Sequence, residues 1–225
     1  KILRKKVFDY IEVNGQNNFK GFNYIVPGDI SSSSFFIVLT LLSLNSRLII
    51  KNVNINESRI GIITILNRMN ANILLKNKKN YKGEITSDIY VKSANNLKGI
   101  KCPKSLNSSA IDEFLVIFLV AAKAKGISTF KDLGELNKKE SPRLDIAVNF
   151  LKRIGVKIIR SKNDIKIIGN PKLEINNNMI MKNFKKDHRV FMMSCVAALT
   201  LGGKWKIFDK NSINSSFPEF LTIIK

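Results

Sequence analysis

Histidine and cysteine are scarce in this sequence of 225 residues. It contains one histidine, His188, and two cysteines, Cys102 and Cys195. A single histidine excludes a metal site built from several imidazoles and argues against a serine–histidine–aspartate triad. Two cysteines are too few for a disulfide framework and lack metal-binding spacing. We therefore expect reduced thiols and a cytoplasmic location.

Long apolar runs are also missing. The longest ones, residues 35–44 and 114–122, have the length of buried helix segments and fall short of a membrane span. We recognise no signal peptide, and the sequence begins with Lys1 rather than methionine, so we expect a piece of a longer polypeptide. With 44% hydrophobic residues, the chain can bury a sizeable core.

Acidic residues are few compared with basic ones. The sequence has 17 Asp and Glu residues and 38 Lys and Arg residues, which gives a formal net charge of +21. The lysines are spread over the whole chain, and aromatic residues do not alternate with them as a base-stacking surface requires. We therefore expect neither nucleic-acid nor membrane partners, and favour attraction of small polyanionic substrates. A non-catalytic anion- or RNA-binding domain is the alternative.

One cationic stretch, residues 138–143 (Lys-Lys-Glu-Ser-Pro-Arg), precedes a segment with helical periodicity. Ser141 suits the N-cap position and Pro142 the first helical position. Such a helix would point free N–H groups and its positive dipole end at an anion, although a solvated charge run is the simpler interpretation. The anion site would include Lys139, Glu140 and Arg143.

A pattern recurs three times along the chain. Each copy opens with an acidic residue ahead of an apolar helix, and the openings lie about 75–83 residues apart. In the first two copies a second helix follows, led by Arg59 or Arg143, and then two strands. The third copy has only begun its second helix when the chain stops. The openings are Asp29, Asp112 and Asp187.

Three copies of one strand–helix unit predict an α/β domain whose helices share a core, with sheets around it. If pseudo-threefold symmetry relates the copies, their helix N-termini converge on one end of the domain. We expect the following residues to share a cationic mouth there: Asp112, Lys139, Glu140, Arg143, His188 and Arg189. Ahead of the first copy, alternating residues at 7–13 and 22–25 predict a pair of strands.

Five motifs follow one another in the order and spacing of a known family. They occupy residues 26–32 (Val-Pro-Gly-Asp-Ile-Ser-Ser), 111–114 (Ile-Asp-Glu-Phe), 133–144, 187–189 (Asp-His-Arg) and 216–218 (Ser-Phe-Pro). In these motifs the chain resembles the EPSP synthases, the 3-phosphoshikimate 1-carboxyvinyltransferases, and the resemblance covers nearly the whole chain.

The resemblance implies an inside-out α/β barrel of the enolpyruvyl transferase type, with three βαβαββ-like repeats of which the third is incomplete. Residues 26–225 would be the C-terminal domain, and residues 1–25 the tail of a truncated N-terminal domain. The active site of this family lies between two such domains. The chain alone would therefore be an incomplete and inactive enzyme, and we expect the complete protein to be a monomer.

The implied reaction transfers the enolpyruvyl group of phosphoenolpyruvate to the 5-hydroxyl of shikimate 3-phosphate, a step of aromatic amino acid biosynthesis that needs no metal or other cofactor. Asp112 would be the base at the hydroxyl, and Glu140 would exchange the proton at C3. Lys139 would contact the shikimate phosphate or a ring hydroxyl. Arg143 and Arg189 would clamp phosphoenolpyruvate. For His188, a ligand-proximal role competes with a structural capping role.

Two positions depart from the family pattern. Pro142 stands where the family usually has aspartate, which puts the pairing of Arg143 in question. Ser215 stands where some relatives carry lysine, so it receives no catalytic role. The related UDP-N-acetylglucosamine enolpyruvyl transferases are the alternative enzyme. RNA 3′-phosphate cyclases use a similar repeat, but their nucleotidylated histidine has no good counterpart here.

Overall fold

A computed structural model describes residues 2–4, 9–13, 15, 18 and 20–224. At its start, strands β1 (Ile2–Arg4) and β2 (Asp9–Ile11) pair in antiparallel fashion. The sequence had predicted strands at residues 7–13 and 22–25. Residues 7 and 8 lie outside the described part, and the strand at 22–25 was wrong.

The chain near residue 24 lies in no strand, and it contacts side chains instead of a sheet edge. The Tyr24 ring lies 5.3 Å from the ring of Tyr81, and the hydroxyl of Tyr81 accepts a hydrogen bond from the backbone N–H of Ile25 at 3.2 Å. The Lys82 ammonium group lies over both tyrosine rings. Aromatic contacts therefore fasten this segment to a hairpin tip farther along the chain.

The first repeat contains two helices and three strands. Helix α1 (Ile30–Leu42) leads to β3 (Arg47–Asn54), then to α2 (Gly61–Arg68), β4 (Asn72–Tyr81) and β5 (Glu84–Lys92). The three strands form one antiparallel sheet in which β5 lies between β3 and β4. This is the predicted order of elements.

The second repeat copies the first. Helix α3 (Phe114–Lys123) is followed by β6 (Gly126–Phe130), α4 (Arg143–Arg153), β7 (Lys157–Ser161) and β8 (Asp164–Gly169). Again the last strand lies in the middle of its sheet, between β6 and β7. Identical strand order in two sheets confirms that one supersecondary unit is used twice.

The third repeat begins in the same way and then stops. Strand β9 (Asn178–Met181) precedes α5 (His188–Leu201), and β10 (Lys204–Ile207) pairs with β9 in parallel. A short helix, α6 (Phe220–Ile223), follows β10 along the chain, as α2 follows β3 and α4 follows β6. This parallel pair gives the third repeat the predicted βαβ start. The two earlier repeats have parallel bridges at the matching places, Gly28 with Val53 and Lys101 with Thr129.

The core lies between the first helices of the three repeats. Helices α1, α3 and α5 pack against one another in all three combinations, and the sheets lie outside them. Every residue of α3 from Phe114 to Ala122 is buried, as expected for a helix that is apolar on all sides. This arrangement confirms the predicted inside-out α/β fold with pseudo-threefold repeats. Within the described ranges, no helix combines the length and the apolar character needed to cross a bilayer.

Candidate active site

The N-terminal ends of α3, α4 and α5 gather charged side chains from distant parts of the sequence. Asp112 lies in the turn before α3, and Arg143 is the first residue of α4. Arg189 is the second residue of α5, and Lys139 follows a short 3₁₀ helix, Gly134–Lys138. Since the repeats orient these starts alike, residues 77 positions apart, such as Asp112 and Arg189, come into contact.

Asp112 is the centre of this cluster. Its carboxylate lies 3.2 Å from Nη1 of Arg143, 3.4 Å from Nζ of Lys139 and 3.6 Å from Nη2 of Arg189. The Arg189 Nη1 also donates to the Asp112 backbone carbonyl at 3.3 Å. Burial alone would raise the pKa of Asp112, but Arg189, Lys139 and Arg143 together hold that pKa below its ordinary value. Its side chain is 24% exposed, so it is charged yet reachable from outside.

Arg143 is buried with three carboxylates around its guanidinium group. Its Nε donates to Oδ2 of Asp187 at 2.9 Å, its Nη2 lies 2.5 Å from Oε2 of Glu140, and its Nη1 faces Asp112. The arginine side chain is only 1% exposed and that of Asp187 is 0% exposed. A buried guanidinium needs such partners, since an unpaired buried charge is very costly. The proline at position 142 therefore leaves the pairing of Arg143 intact.

The start of α4 differs from the prediction. Ser141 is not the helix cap, because its hydroxyl donates to Oδ2 of Asp187 at 2.7 Å. Pro142 occupies the N-cap position, and the first free N–H groups, those of Leu144 and Asp145, bind Oδ1 of Asn137 at 3.0 and 3.2 Å. The predicted use of free N–H groups of this helix for an anion was thus wrong. An anion at this end of α4 would therefore be bound by charged side chains and not by the N–H groups of the helix.

The other predicted residues border the same cluster. Glu140 is 58% exposed and contacts Arg143, so its carboxylate lies on the outer side of the buried arginine. His188 is half-buried at the first position of α5, where burial and then Arg189 lower its pKa. The cap of that helix is Asp187, whose Oδ1 accepts from the Arg189 N–H at 2.9 Å. Capping therefore belongs to Asp187 rather than to His188.

The opening of the first repeat carries a related but more exposed group. Asp29 caps α1 by accepting from the Ser32 N–H at 2.7 Å. Arg59, which precedes α2 as Arg143 begins α4, lies 3.7 Å from the Asp29 carboxylate. Its Nη2 donates to the hydroxyl of Ser31, which in turn donates to Glu113.

Several residues of this region escaped the sequence reading. Asp187 and Glu113 were recognised as parts of motifs but received no role of their own. The matching positions of Arg59 and Arg143 indicate a partner in the opening of each arginine's own repeat, which is Asp29 for Arg59 and Asp112 for Arg143. That pattern does not mark Asp187, the opening of the next repeat, as the buried partner of Arg143. Nothing in the sequence marked Asn137 as the residue that caps α4, since a cap six positions upstream depends on the intervening 3₁₀ helix.

Both thiols are buried and inert. Burial raises the pKa of Cys102 to about 11 and that of Cys195 to about 12. Among the residues that the structure describes, no group of three His, Cys, Asp or Glu side chains could hold a metal ion.

Comparison with known proteins agrees with this geometry. The family model described as EPSP synthase (3-phosphoshikimate 1-carboxyvinyltransferase) matches residues 1–224. The chain belongs to the EPSP synthase family. It is 38% identical over 208 residues to a 3-phosphoshikimate 1-carboxyvinyltransferase of Petrotoga mobilis and 37% identical over 213 residues to one of Geotalea daltonii.

These matches cover 92% and 95% of the chain but 47% and 48% of the relatives. The chain thus spans about half the length of the curated EPSP synthases it matches, which fits a C-terminal-domain portion. An EPSP synthase structure from Acinetobacter baumannii superposes with a TM-score of 0.82 at 32% identity, covering 88% of this chain and 45% of that one. The enolpyruvyl transferase NikO from Streptomyces tendae, at 12% identity and a TM-score of 0.59, shares the fold.

Proposed function

We propose that the protein to which this chain belongs transfers the enolpyruvyl group of phosphoenolpyruvate to the 5-hydroxyl of shikimate 3-phosphate, releasing phosphate. The 5-hydroxyl oxygen adds to C2 of phosphoenolpyruvate while C3 gains a proton, and the tetrahedral intermediate then loses phosphate and a C3 proton. Such chemistry needs a base near the hydroxyl, an acid–base group near C3 and cations for two phosphates and a carboxylate.

One observation carries the proposal. A partly exposed carboxylate, Asp112, faces three cations, two from the stretch at residues 138–143 and one from α5, and a second, more exposed carboxylate, Glu140, lies on the same cluster. If the only role of Asp112 were to stabilise the fold, a single ion pair would be sufficient. Three cations around one reachable carboxylate instead suit a site that receives anionic ligands and keeps a base ionised.

Asp112 is our candidate for the base at the 5-hydroxyl. Its lowered pKa keeps it ionised at neutral pH, so it can accept a hydrogen bond from the hydroxyl and then its proton. Glu140 is our candidate for proton transfer at C3, because it is the exposed carboxylate of the cluster and can reach a bound ligand without unfolding the buried part.

The cations would hold the anionic groups. We assign Lys139 to the phosphate or a ring hydroxyl of shikimate 3-phosphate, and Arg143 and Arg189 to phosphoenolpyruvate. Arg143 is fixed on one side by Asp187, so a ligand would meet it through Nη1, the nitrogen that faces Asp112. His188 adjoins this region and stays a ligand-proximal candidate.

The organisation of the complete protein is part of the same proposal. Residues 26–225 would be the C-terminal domain, residues 1–25 the tail of an N-terminal domain, and the substrates would bind between the two. We further propose a monomer located in the cytoplasm, without nucleic-acid or membrane partners.

The direct test is phosphate release by the full-length protein supplied with phosphoenolpyruvate and shikimate 3-phosphate. We expect release that requires both compounds, and negligible turnover by the 225-residue chain alone. Release with UDP-N-acetylglucosamine in place of shikimate 3-phosphate would move the function to the related transferases. Salt-sensitive RNA binding without any turnover would favour a binding domain.

Two substitutions test the assigned roles in the full-length protein. Glu140→Gln should lower kcat by about 10²-fold or more, since amide cannot exchange the C3 proton. Arg143→Lys should raise KM for phosphoenolpyruvate more than KM for shikimate 3-phosphate, because a single ammonium group cannot keep the contacts to Asp187 and Glu140 and also offer a nitrogen to the ligand. Near-normal turnover of the first variant, or equal effects on both KM values in the second, would remove the corresponding role.

A further inference from the structure

A second chain of polar contacts lies beside Asp112, outside the proposed reaction. The Nη2 of Arg59 donates to the hydroxyl of Ser31 at 2.8 Å, and that hydroxyl donates to Oε1 of Glu113 at 2.5 Å. Ser31 is 1% exposed and Glu113 is 2% exposed. Burying a carboxyl group is costly unless it is hydrogen-bonded, and the hydroxyl of Ser31 supplies such a bond to Glu113.

The surroundings of Glu113 come from three elements. Ser31 and Arg59 belong to the first repeat, Arg189 to α5, and Asp112 is the neighbour on its own turn. Burial raises the pKa of Glu113 above its ordinary value, with Asp112 adding to the rise, while Ser31, Arg189 and Arg59 oppose it.

Glu113 is fixed at both its backbone and its side chain. Its N–H donates to the carbonyl of Ala110 at 3.0 Å, and its carbonyl accepts from the N–H of Ile117 at 3.0 Å. It stands at the N-cap position of α3, but its side chain makes no cap hydrogen bond and binds Ser31 instead. The peptide that follows Asp112 therefore has little freedom to rotate.

The repeat explains why this contact chain ends next to Asp112. Arg59 joins the openings of the first and second repeats, and Arg143 joins those of the second and third. We call the first set of contacts the Arg59 junction and the second the Arg143 junction. Both include the turn with Asp112 and Glu113, which is the opening of the second repeat. One junction holds Glu113 and the other holds Asp112.

We infer that Glu113, held by Ser31 and Arg59, is a positioning residue that keeps Asp112 turned towards Lys139, Arg143 and Arg189. The inference rests on the proposed function, in which Asp112 acts on the substrate hydroxyl. Glu113 touches no reacting atom in this scheme; it acts through the direction of its neighbour.

The kinetic test uses the full-length protein with Ser31→Ala, Glu113→Ala and Glu113→Gln. Losing the anchor should lower kcat about ten-fold or more in the two alanine variants, because a small misplacement of a reacting group is costly, with KM for phosphoenolpyruvate changed much less. Glu113→Gln should restore most of kcat, since its amide oxygen accepts the same hydrogen bond. The matched control is Ser34→Ala, which removes a buried hydroxyl that binds only its own helix, at the carbonyl of Ser31.

A second readout does not depend on turnover. Carbon-detected NMR titration of the Asp112 carboxyl in the full-length protein should give a lowered midpoint, and Ser31→Ala should raise it towards about 3.9. The direction is diagnostic for Glu113→Ala as well, because removing a neighbouring negative charge would by itself lower the midpoint. An upward shift therefore reports lost alignment with the cations.

Wild-type kcat and an unchanged Asp112 midpoint in Ser31→Ala would overturn the inference, even if Glu113→Ala fails to fold. So would an equal loss of kcat in Ser34→Ala, or no recovery in Glu113→Gln. If the wild-type protein forms no enolpyruvyl product, the proposed function fails, and the midpoint still decides whether Glu113 positions Asp112.

Discussion

The Arg143 junction and the Arg59 junction are built on the same position of two repeats, yet they differ in burial and in partners. Arg143 is 1% exposed and faces three carboxylates, whereas Arg59 is 51% exposed and forms a longer ion pair of 3.7 Å with Asp29. Arg59 also reaches Glu113 through Ser31. The repeated fold thus places Arg59 and Arg143 at equivalent positions. The number of nearby carboxylates determines which of the two arginines forms a tight, buried cluster.

Among the residues that the structure describes, no arginine joins the last repeat to the first in this way. There Phe217 and Phe220 lie against Phe36, with ring centroids 5.8 and 5.7 Å from it. An apolar contact closes the threefold arrangement on that side. The charged mouth is therefore one-sided, and it lies where the second repeat meets its two neighbours.

The largest expected difference between the junctions is catalytic. In the full-length protein, Asp112→Asn should lower kcat by about 10²- to 10⁴-fold, because an amide cannot accept the hydroxyl proton. Asp29→Asn changes the equivalent opening, where the carboxylate caps a helix, and should leave kcat within a few-fold. Steady-state phosphate release measures both. Similar losses in the two variants would show that the openings act only through stability.

The next difference concerns the free energy of unfolding. Arg143→Met should destabilise the protein by about 3–5 kcal/mol, because it leaves the buried Asp187 carboxylate without its cation. Arg59→Met should cost about 1 kcal/mol or less, since that arginine is half exposed and its ion pair is long. Urea unfolding of both variants compares them directly. Equal losses of unfolding free energy in the two variants would mean that the buried ion pairs of Arg143 stabilise the protein no more than the exposed ion pair of Arg59.

The smallest difference appears as a pH dependence. Arg143 and Ser141 hold the pKa of Asp187 below its ordinary value although burial opposes them. A lowered folded-state pKa gives stability that is present above about pH 4 and is lost as pH falls through the folded pKa. The gap in unfolding free energy between wild type and Asp187→Asn should therefore shrink below pH 4. A gap that stays constant down to pH 2 would contradict this linkage.

Much of this architecture could be predicted from the sequence. Apolar helices at a regular interval, each behind an acidic residue, predicted the repeats and the central packing of α1, α3 and α5. The same regularity predicted that Asp112 and Arg189 would lie together, because equivalent helix starts share one end of the domain. Patterns of that kind are visible in sequence since they depend on the period of the helix and on burial.

What escaped prediction depends on partners that are distant in sequence. Ser141 and Pro142 have the local signature of a helix start, but the buried carboxylate of Asp187 takes the serine hydroxyl and Asn137 caps the helix. The segment at residues 22–25 alternates like a strand, but tyrosine contacts hold it against a hairpin tip. In both places a specific contact overrides the local preference.

The two native thiols have a practical consequence for experiments on this protein. With pKa values of about 11 and 12, Cys102 and Cys195 carry almost no thiolate at neutral pH, and both are buried. A cysteine introduced at an exposed position should therefore react with a fluorophore or spin label far faster than either of them. Labels on this chain can therefore be introduced without first replacing Cys102 and Cys195.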